Sequence, residues 1–169
     1  SGGLYEKKII KKLKKILNVN LLFHNYFPVP QKPFIINLAS TDMKIYKKSF
    51  DHLKKAIFNT SKLKLKYFSF HAGFLIDPNI NDFGKTLSKQ LINDRNEILN
   101  LFIKRLNYLS NYAKKKGVIL LIENNVITKK NLNRFGKNPF LMTRLNETKK
   151  IMMNTNSNVK LLIDVAHLK

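Results

Sequence analysis

Four short apolar runs in this chain each end on a side chain able to bind a metal ion, and that rhythm constrains the fold more than any other feature. "NVNLLFH" ends at His24, "KYFSFH" at His71, "VILLIE" at Glu123 and "VKLLID" at Asp164. Helical-period segments separate them. Residues 43–59 place Tyr46, Phe50, Leu53 and Ile57 on one face. Residues 94–116 line up Ile98, Leu101, Phe102, Leu109 and Tyr112, with Asp94 and Glu97 as a capping-box-like start and Gly117 as the stop. Further helices are expected over 4–17, with Ile9, Leu13, Ile16 and Leu17 inward, and near 144–154. "FIINLAS" reads as a second apolar stretch extending the first strand unit, and "NNVITKKNLNRFGKNPF" as a polar loop. Strands that are apolar throughout, alternating with helices, indicate a parallel sheet covered by helices.

In a parallel α/β protein the carboxyl ends of all strands lie on one face, where active sites form. The polar strand ends therefore make a ring: His24, His71, Glu123 and Asp164. Asp164 and His167 form "DVAH", an acid and a histidine three apart that a turn after the strand can present together. This nitrogen-and-oxygen donor set suits Zn, Mn, Fe or Co. Taken singly, each residue has an ordinary structural reading, a hydrogen-bonded histidine or a carboxylate paired with lysine. Taken together they favour a metal, because only 10 acids exist and two of them end buried strands. An ionised carboxylate there is costly without a cation. His52 sits mid-helix, off the ring. Phe27, Phe34 and Phe74 are candidates for stacking on a ligand or for core packing, and Arg134 and Lys137 for holding an anion or for plain surface. Gly2–Gly3 before the first helix reads as a turn or a phosphate contact.

The chain has no cysteine, so disulfides and thiolate metal sites are excluded. Formal charge is +22, from 32 Lys plus Arg against 10 Asp plus Glu. Such a field attracts phosphates. Only four of the 32 are arginine, the usual residue for bidentate phosphate and base contacts, so a compositional bias explains the charge better than a nucleic-acid surface. No apolar run approaches the ~20 residues of a membrane helix, and no signal peptide is visible, so a cytoplasmic location without membrane attachment is expected.

The ordered set "HNYF…FIINLAS", "FSFHAG", "LLIENN" and "LLIDVAH" resembles the xylose isomerase-like TIM-barrel superfamily. That group contains sugar isomerases and epimerases and the second family of apurinic endonucleases. The resemblance implies one domain over residues 1–169: a parallel (β/α) TIM barrel of which the first half to two-thirds is present, since a whole barrel needs roughly 250 residues. It implies a divalent metal, Mn, Co or Zn. In the sugar enzymes the residues matching Glu123 and Asp164 bind metal directly. In the endonucleases the residues matching His24, His71, Glu123, Asp164 and His167 surround a zinc cluster. The endonucleases read "DTCH", "ENTAG" and His-Pro-Gly where this chain has "DVAH", "ENN" and His71–Ala72–Gly73, whereas "FIINLAS" is close to an endonuclease stretch.

The expectation is a metal-dependent sugar or sugar phosphate isomerase or epimerase working through an ene-diolate. Glu123 and His167 are its expected catalytic residues, Glu123, Asp164, His71 and His24 its metal ligands, and His71, His167 and Asn124 its substrate contacts. The alternatives are a zinc-dependent apurinic endonuclease and a barrel without catalysis. The expected partner is a small carbohydrate, with nucleic acid as the alternative and homo-oligomers compatible.

Overall fold

The computed structural model describes residues 21–82 and 84–167, with Lys12 and Lys15 from the first segment. The expected helix over 4–17 and the Gly2–Gly3 pair lie outside the described residues, apart from those two lysines. Four strands form one sheet in the order β1-β2-β3-β4: Phe23–His24, Tyr67–His71, Ile119–Glu123 and Val159–Leu162. Every neighbouring pair is parallel. Helices α1 (Met43–Lys62), α2 (Arg95–Lys115), α3 (Lys129–Phe135) and α4 (Leu145–Met153) fill the connections. None of the described helices is long and apolar enough to cross a membrane.

The register explains which side chains share a face. Phe68 pairs with Leu120 and Phe70 with Ile122, and Leu120 pairs with Val159. Phe68, Phe70, Leu120 and Ile122 are fully buried, in the same apolar cluster as Leu53, Ile57, Phe102 and Leu106 of α1 and α2. Each such side chain contributes about 1.5–3 kcal/mol of transfer free energy. The alternate residues point to the opposite face. There His24 pairs with Ser69, His71 with Glu123, and Glu123 with Leu162. Because strand side chains alternate with period two, His24, Ser69, His71, Glu123 and Leu162 share the inner face, and Asp164 follows two residues on.

Helix boundaries follow local chemistry. The Asp42 carboxylate accepts from the Lys44 and Ile45 amides, and Asp94 accepts from Asn96 and Glu97, so both long helices start on an aspartate cap. Gly117, at φ 69°, takes the left-handed turn just past α2 that a side chain would resist.

Two local expectations need correction. "FIINLAS" forms no strand: residues 34–40 run as an irregular buried segment. Its polar groups are satisfied by side chains instead of a ladder. Ile36 N–H donates to the Tyr26 hydroxyl and Asn37 N–H to Ser49 Oγ. The buried Arg105 guanidinium donates to the Leu38 and Ser40 carbonyls while stacking 3.7 Å over Tyr46. The expected polar loop "NNVITKKNLNRFGKNPF" contains α3, capped by Thr128 and closed by Gly136 at φ 69°. It lacks an apolar stripe, and only Asn131 of it is buried.

Candidate metal centre

The strand ends converge. His24 Nδ1 lies 3.4 Å from Glu123 Oε2, and His71 Nδ1 and His167 Nδ1 lie 3.9 and 3.8 Å from Glu123 Oε1. His167 Nε2 lies 3.4 Å from Asp164 Oδ2. Two overlapping sets of potential ligand atoms result, His24–His71–Glu123 and Glu123–Asp164–His167, each with its atoms within 4.8 Å of one another. Glu123 belongs to both. It is buried, and no lysine or arginine among the described residues pairs with it.

Each member is placed by a local device. His71 and Glu123 are register partners on adjacent strands. Gly73 lets the chain turn under the buried 35–40 segment: a Cβ there would stand 2.5 Å from Ala39 Cβ. Asp164 Oδ1 accepts from Ala166 N–H and so starts the 3-10 turn Val165–His167, which brings His167 back over the strand ends. His167 Nδ1 lies 2.8 Å from the Asn124 carbonyl. A carbonyl only accepts, so Nδ1 carries the proton and Nε2 of the neutral ring keeps a free lone pair. Metal-binding histidines are commonly held in this way, by a backbone carbonyl on the nitrogen away from the ion.

The other histidines differ. Both nitrogens of His24 are engaged: Nδ1 is 2.9 Å from Ser69 Oγ, and the Asn25 amide donates to Nε2 over 2.6 Å. The same Asn25 accepts from His71 N–H through Oδ1, which fixes its orientation. His71 Nδ1 is buried with no hydrogen-bond partner. A buried, unpartnered imidazole nitrogen beside a buried carboxylate is what a cation would satisfy, so these residues fit a divalent metal. Electrostatics agree. Burial, reinforced by His24 and His167, pushes the His71 pKa down to about 4. His24 is lowered by burial and then by His167. Burial raises Glu123, opposed by His167 and assisted by Asp164. Neutral imidazoles are the form that binds metal.

Asn124 lies in the same corner, but its amide faces the protein: Oδ1 accepts from Asp164 N–H at 2.8 Å and Nδ2 donates to the Asp164 carbonyl at 3.3 Å. Sequence reasoning missed Ser69 and Asn25, which hold His24. Their one signal was position, two residues before a strand-end histidine and one residue after another. Of the candidate stacking residues, Phe27 packs face to face on Phe23, whereas Phe34 meets Tyr26 and His52 edge to face and Phe74 meets Phe140 the same way. A cavity of about 190 Å³ opens beside His167, walled by Asn124, Met142, Arg144 and Leu161. A larger one, about 410 Å³, lies at the start of α2 and α4, away from the strand ends. Its Arg95 is already paired with Glu147 at 2.7 Å.

The family model described as "Xylose isomerase-like TIM barrel" matches residues 4–169. The chain belongs to that family. A search of curated protein sequences finds no match. Among solved structures, an L-ribulose 3-epimerase is similar with TM-score 0.69 and 16% identity, over 97% of this chain and 47% of that one. A D-psicose 3-epimerase from Clostridium cellulolyticum H10, solved with D-tagatose, gives TM-score 0.66 and 16% identity, over 97% and 50%. A 3-keto-D-glucoside 4-epimerase from E. coli gives TM-score 0.67 and 9% identity, over 95% and 54%. This xylose isomerase-like chain thus spans about half the length of the solved structures it matches. At these identities the likeness establishes the fold.

Proposed function

We propose that residues 1–169 are the first part of one xylose isomerase-like barrel domain, and that the whole protein is a divalent-metal-dependent isomerase or epimerase of a small sugar or sugar phosphate. The observation that carries this reading is Glu123: a buried carboxylate with no lysine or arginine partner among the described residues, within 4 Å of nitrogens on three histidines. The sugar epimerases named above make a ketose the first substrate to try. Glu123, Asp164, His71 and His24 would hold the ion. When bound, a divalent cation supplies Lewis acidity to neighbouring sugar oxygens.

Glu123 takes the proton from the substrate carbon next to the carbonyl, which leaves an ene-diolate of the sugar, and a second acid that these residues do not supply returns a proton to the opposite face. A carboxylate raised above its ordinary value by burial is better matched to that transfer near neutral pH. His167, fixed with its proton on Nδ1, turns Nε2 toward the site and orients a substrate hydroxyl. His71 lines the pocket floor, and burial keeps it neutral. For His24 to serve as a ligand, its ring must exchange the Asn25 or Ser69 hydrogen bond for the ion.

One feature favours a second reading. Two ligand sets sharing Glu123 would suit two ions, which phosphodiester hydrolases commonly use. The departures from the endonuclease motifs at "DVAH", "ENN" and "HAG" argue against it. The full-length protein, given Mn or Co and a panel of ketoses and their phosphates in D₂O, should place solvent deuterium on the epimerised carbon. Glu123→Gln should abolish that exchange. Zinc-dependent nicking of an abasic duplex that Glu123→Gln eliminates would overturn the sugar assignment and install the hydrolase.

A further inference from the structure

We infer that Asn124 is a positioning residue that locks the Asp164–His167 turn and thereby selects the ring tautomer of His167; the inference rests on the metal-centre reading above and deepens it. Asn124 follows Glu123 at the end of β3, so its backbone leaves the strand at the height of the candidate ligands. It touches the "DVAH" segment at three points. Its Oδ1 accepts from Asp164 N–H at 2.8 Å, its Nδ2 donates to the Asp164 carbonyl at 3.3 Å, and its own carbonyl accepts from His167 Nδ1 at 2.8 Å. Its backbone N–H donates to the Leu162 carbonyl, the last residue of β4.

The three contacts do different jobs. The side-chain amide mimics a further pair of ladder bonds, extending the β3–β4 pairing past the last strand residue to Asp164. That extension sets where the 3-10 turn Val165–His167 begins. The turn's rise then decides whether the imidazole reaches the Asn124 carbonyl. Once it does, the proton is confined to Nδ1, and Nε2 faces Asp164 Oδ2 at 3.4 Å as the available lone pair. An amide is required because the backbone of Asp164 offers one donor and one acceptor side by side. A carboxylate matches only the donor, and an apolar side chain matches neither. Each end of the amide thereby makes one bond to the protein.

Asn125 is the control nature provides. It is as buried as Asn124 and its side chain also makes two bonds, both donated by Nδ2 to the Ala72 and Leu141 carbonyls, but it bonds to neither Asp164 nor His167. Removing either amide should cost the fold a comparable amount, and only one should disturb His167.

The test is the ring nitrogen spectrum of His167 in the metal-free full-length protein, by two-bond ¹⁵N–¹H correlation, for wild type, Asn124→Ala and Asn125→Ala. Wild type should give a single tautomer with the proton on Nδ1. Asn124→Ala should give a mixture, and Asn125→Ala the wild-type pattern. Cobalt affinity of the same three proteins should fall about 10–100-fold for Asn124→Ala alone, the loss that outer partners of a ligand typically cause. If Asn124→Ala does not fold, Asn124→Asp decides the matter: it keeps an acceptor for Asp164 N–H, loses the donor, and should still mix the tautomers. A single Nδ1-protonated tautomer in the Asn124 variant, or equal mixing in Asn125→Ala, would overturn the inference. Wild type that binds no cobalt yet shows the tautomer dependence would sink the metal reading and leave the positioning role standing.

Discussion

At the scale of single residues, the site is a set of protonation states imposed by burial. His71 is the extreme case, held neutral down to about pH 4 against an ordinary 6.5. A histidine whose folded pKa is depressed stabilises the fold above 6.5, and that contribution is lost as pH falls from 6.5 toward 4, because the unfolded chain binds the proton first. His24 acts in the same direction. Glu123 is raised, so its term has the opposite sign: present below 4.5 and lost as pH rises through the raised value. The metal-free protein should therefore lose about 1–3 kcal/mol between pH 6.5 and 4 through His71, after allowance for solvent screening at its partly exposed ring. Denaturant midpoints measured across that range should show the loss, and His71→Gln should flatten it. A His71→Gln profile as steep as wild type would place the acid sensitivity elsewhere. The strand-end histidines were visible in sequence because each closes an apolar run. The partners of His24 were not, since Ser69 meets it across strands through register and Asn25, its neighbour in sequence, is held in place by the His71 amide on the next strand.

At the scale of elements, the order of strands and helices could be read from periodicity and caps, and the segments that resisted were those whose hydrogen bonds leave the local chain. The 34–40 segment is as apolar as a strand, yet Pro33 precedes it and its backbone partners come from α1, α2 and Tyr26. Arg105 is the least expected of these: a cation on the buried side of α2, which helical spacing alone would fill with an apolar residue. Its role predicts a large effect. Arg105→Met keeps the length of the side chain but strips two buried carbonyls of their charged donor, each worth about 1–3 kcal/mol. The midpoint of unfolding should drop accordingly, and the 35–40 segment that packs over Gly73 should lose amide protection in hydrogen exchange. A neutral substitution would mean that water replaces the guanidinium and that the segment is less tightly tied than its hydrogen bonds imply. Helix α3 escaped notice for the converse reason: with one buried residue it has almost no amphipathic signal, and it is held by its Thr128 cap and Gly136 turn.

At the scale of the whole molecule, four parallel strands carry a cluster that two overlapping ligand sets describe, on a chain half as long as its structural relatives. The outer edge of β4 has no described neighbour, which for an isolated sheet invites pairing between copies. The lysine-rich composition, +22 in formal charge, opposes that association most strongly at low salt. The account nevertheless stands or falls on the cluster itself. The direct measurement is a cobalt titration of the purified 169-residue chain and of Glu123→Gln, followed by visible absorption and calorimetry at neutral pH. Wild type should bind saturably, even if weakly, with release of few protons from His24 and His71, which burial already holds neutral. Glu123→Gln should lose more than the roughly 10–100-fold that an outer partner costs, without unfolding. Equal binding by both proteins, or none by wild type either in this chain or in the full-length protein, would contradict a metal centre built on Glu123.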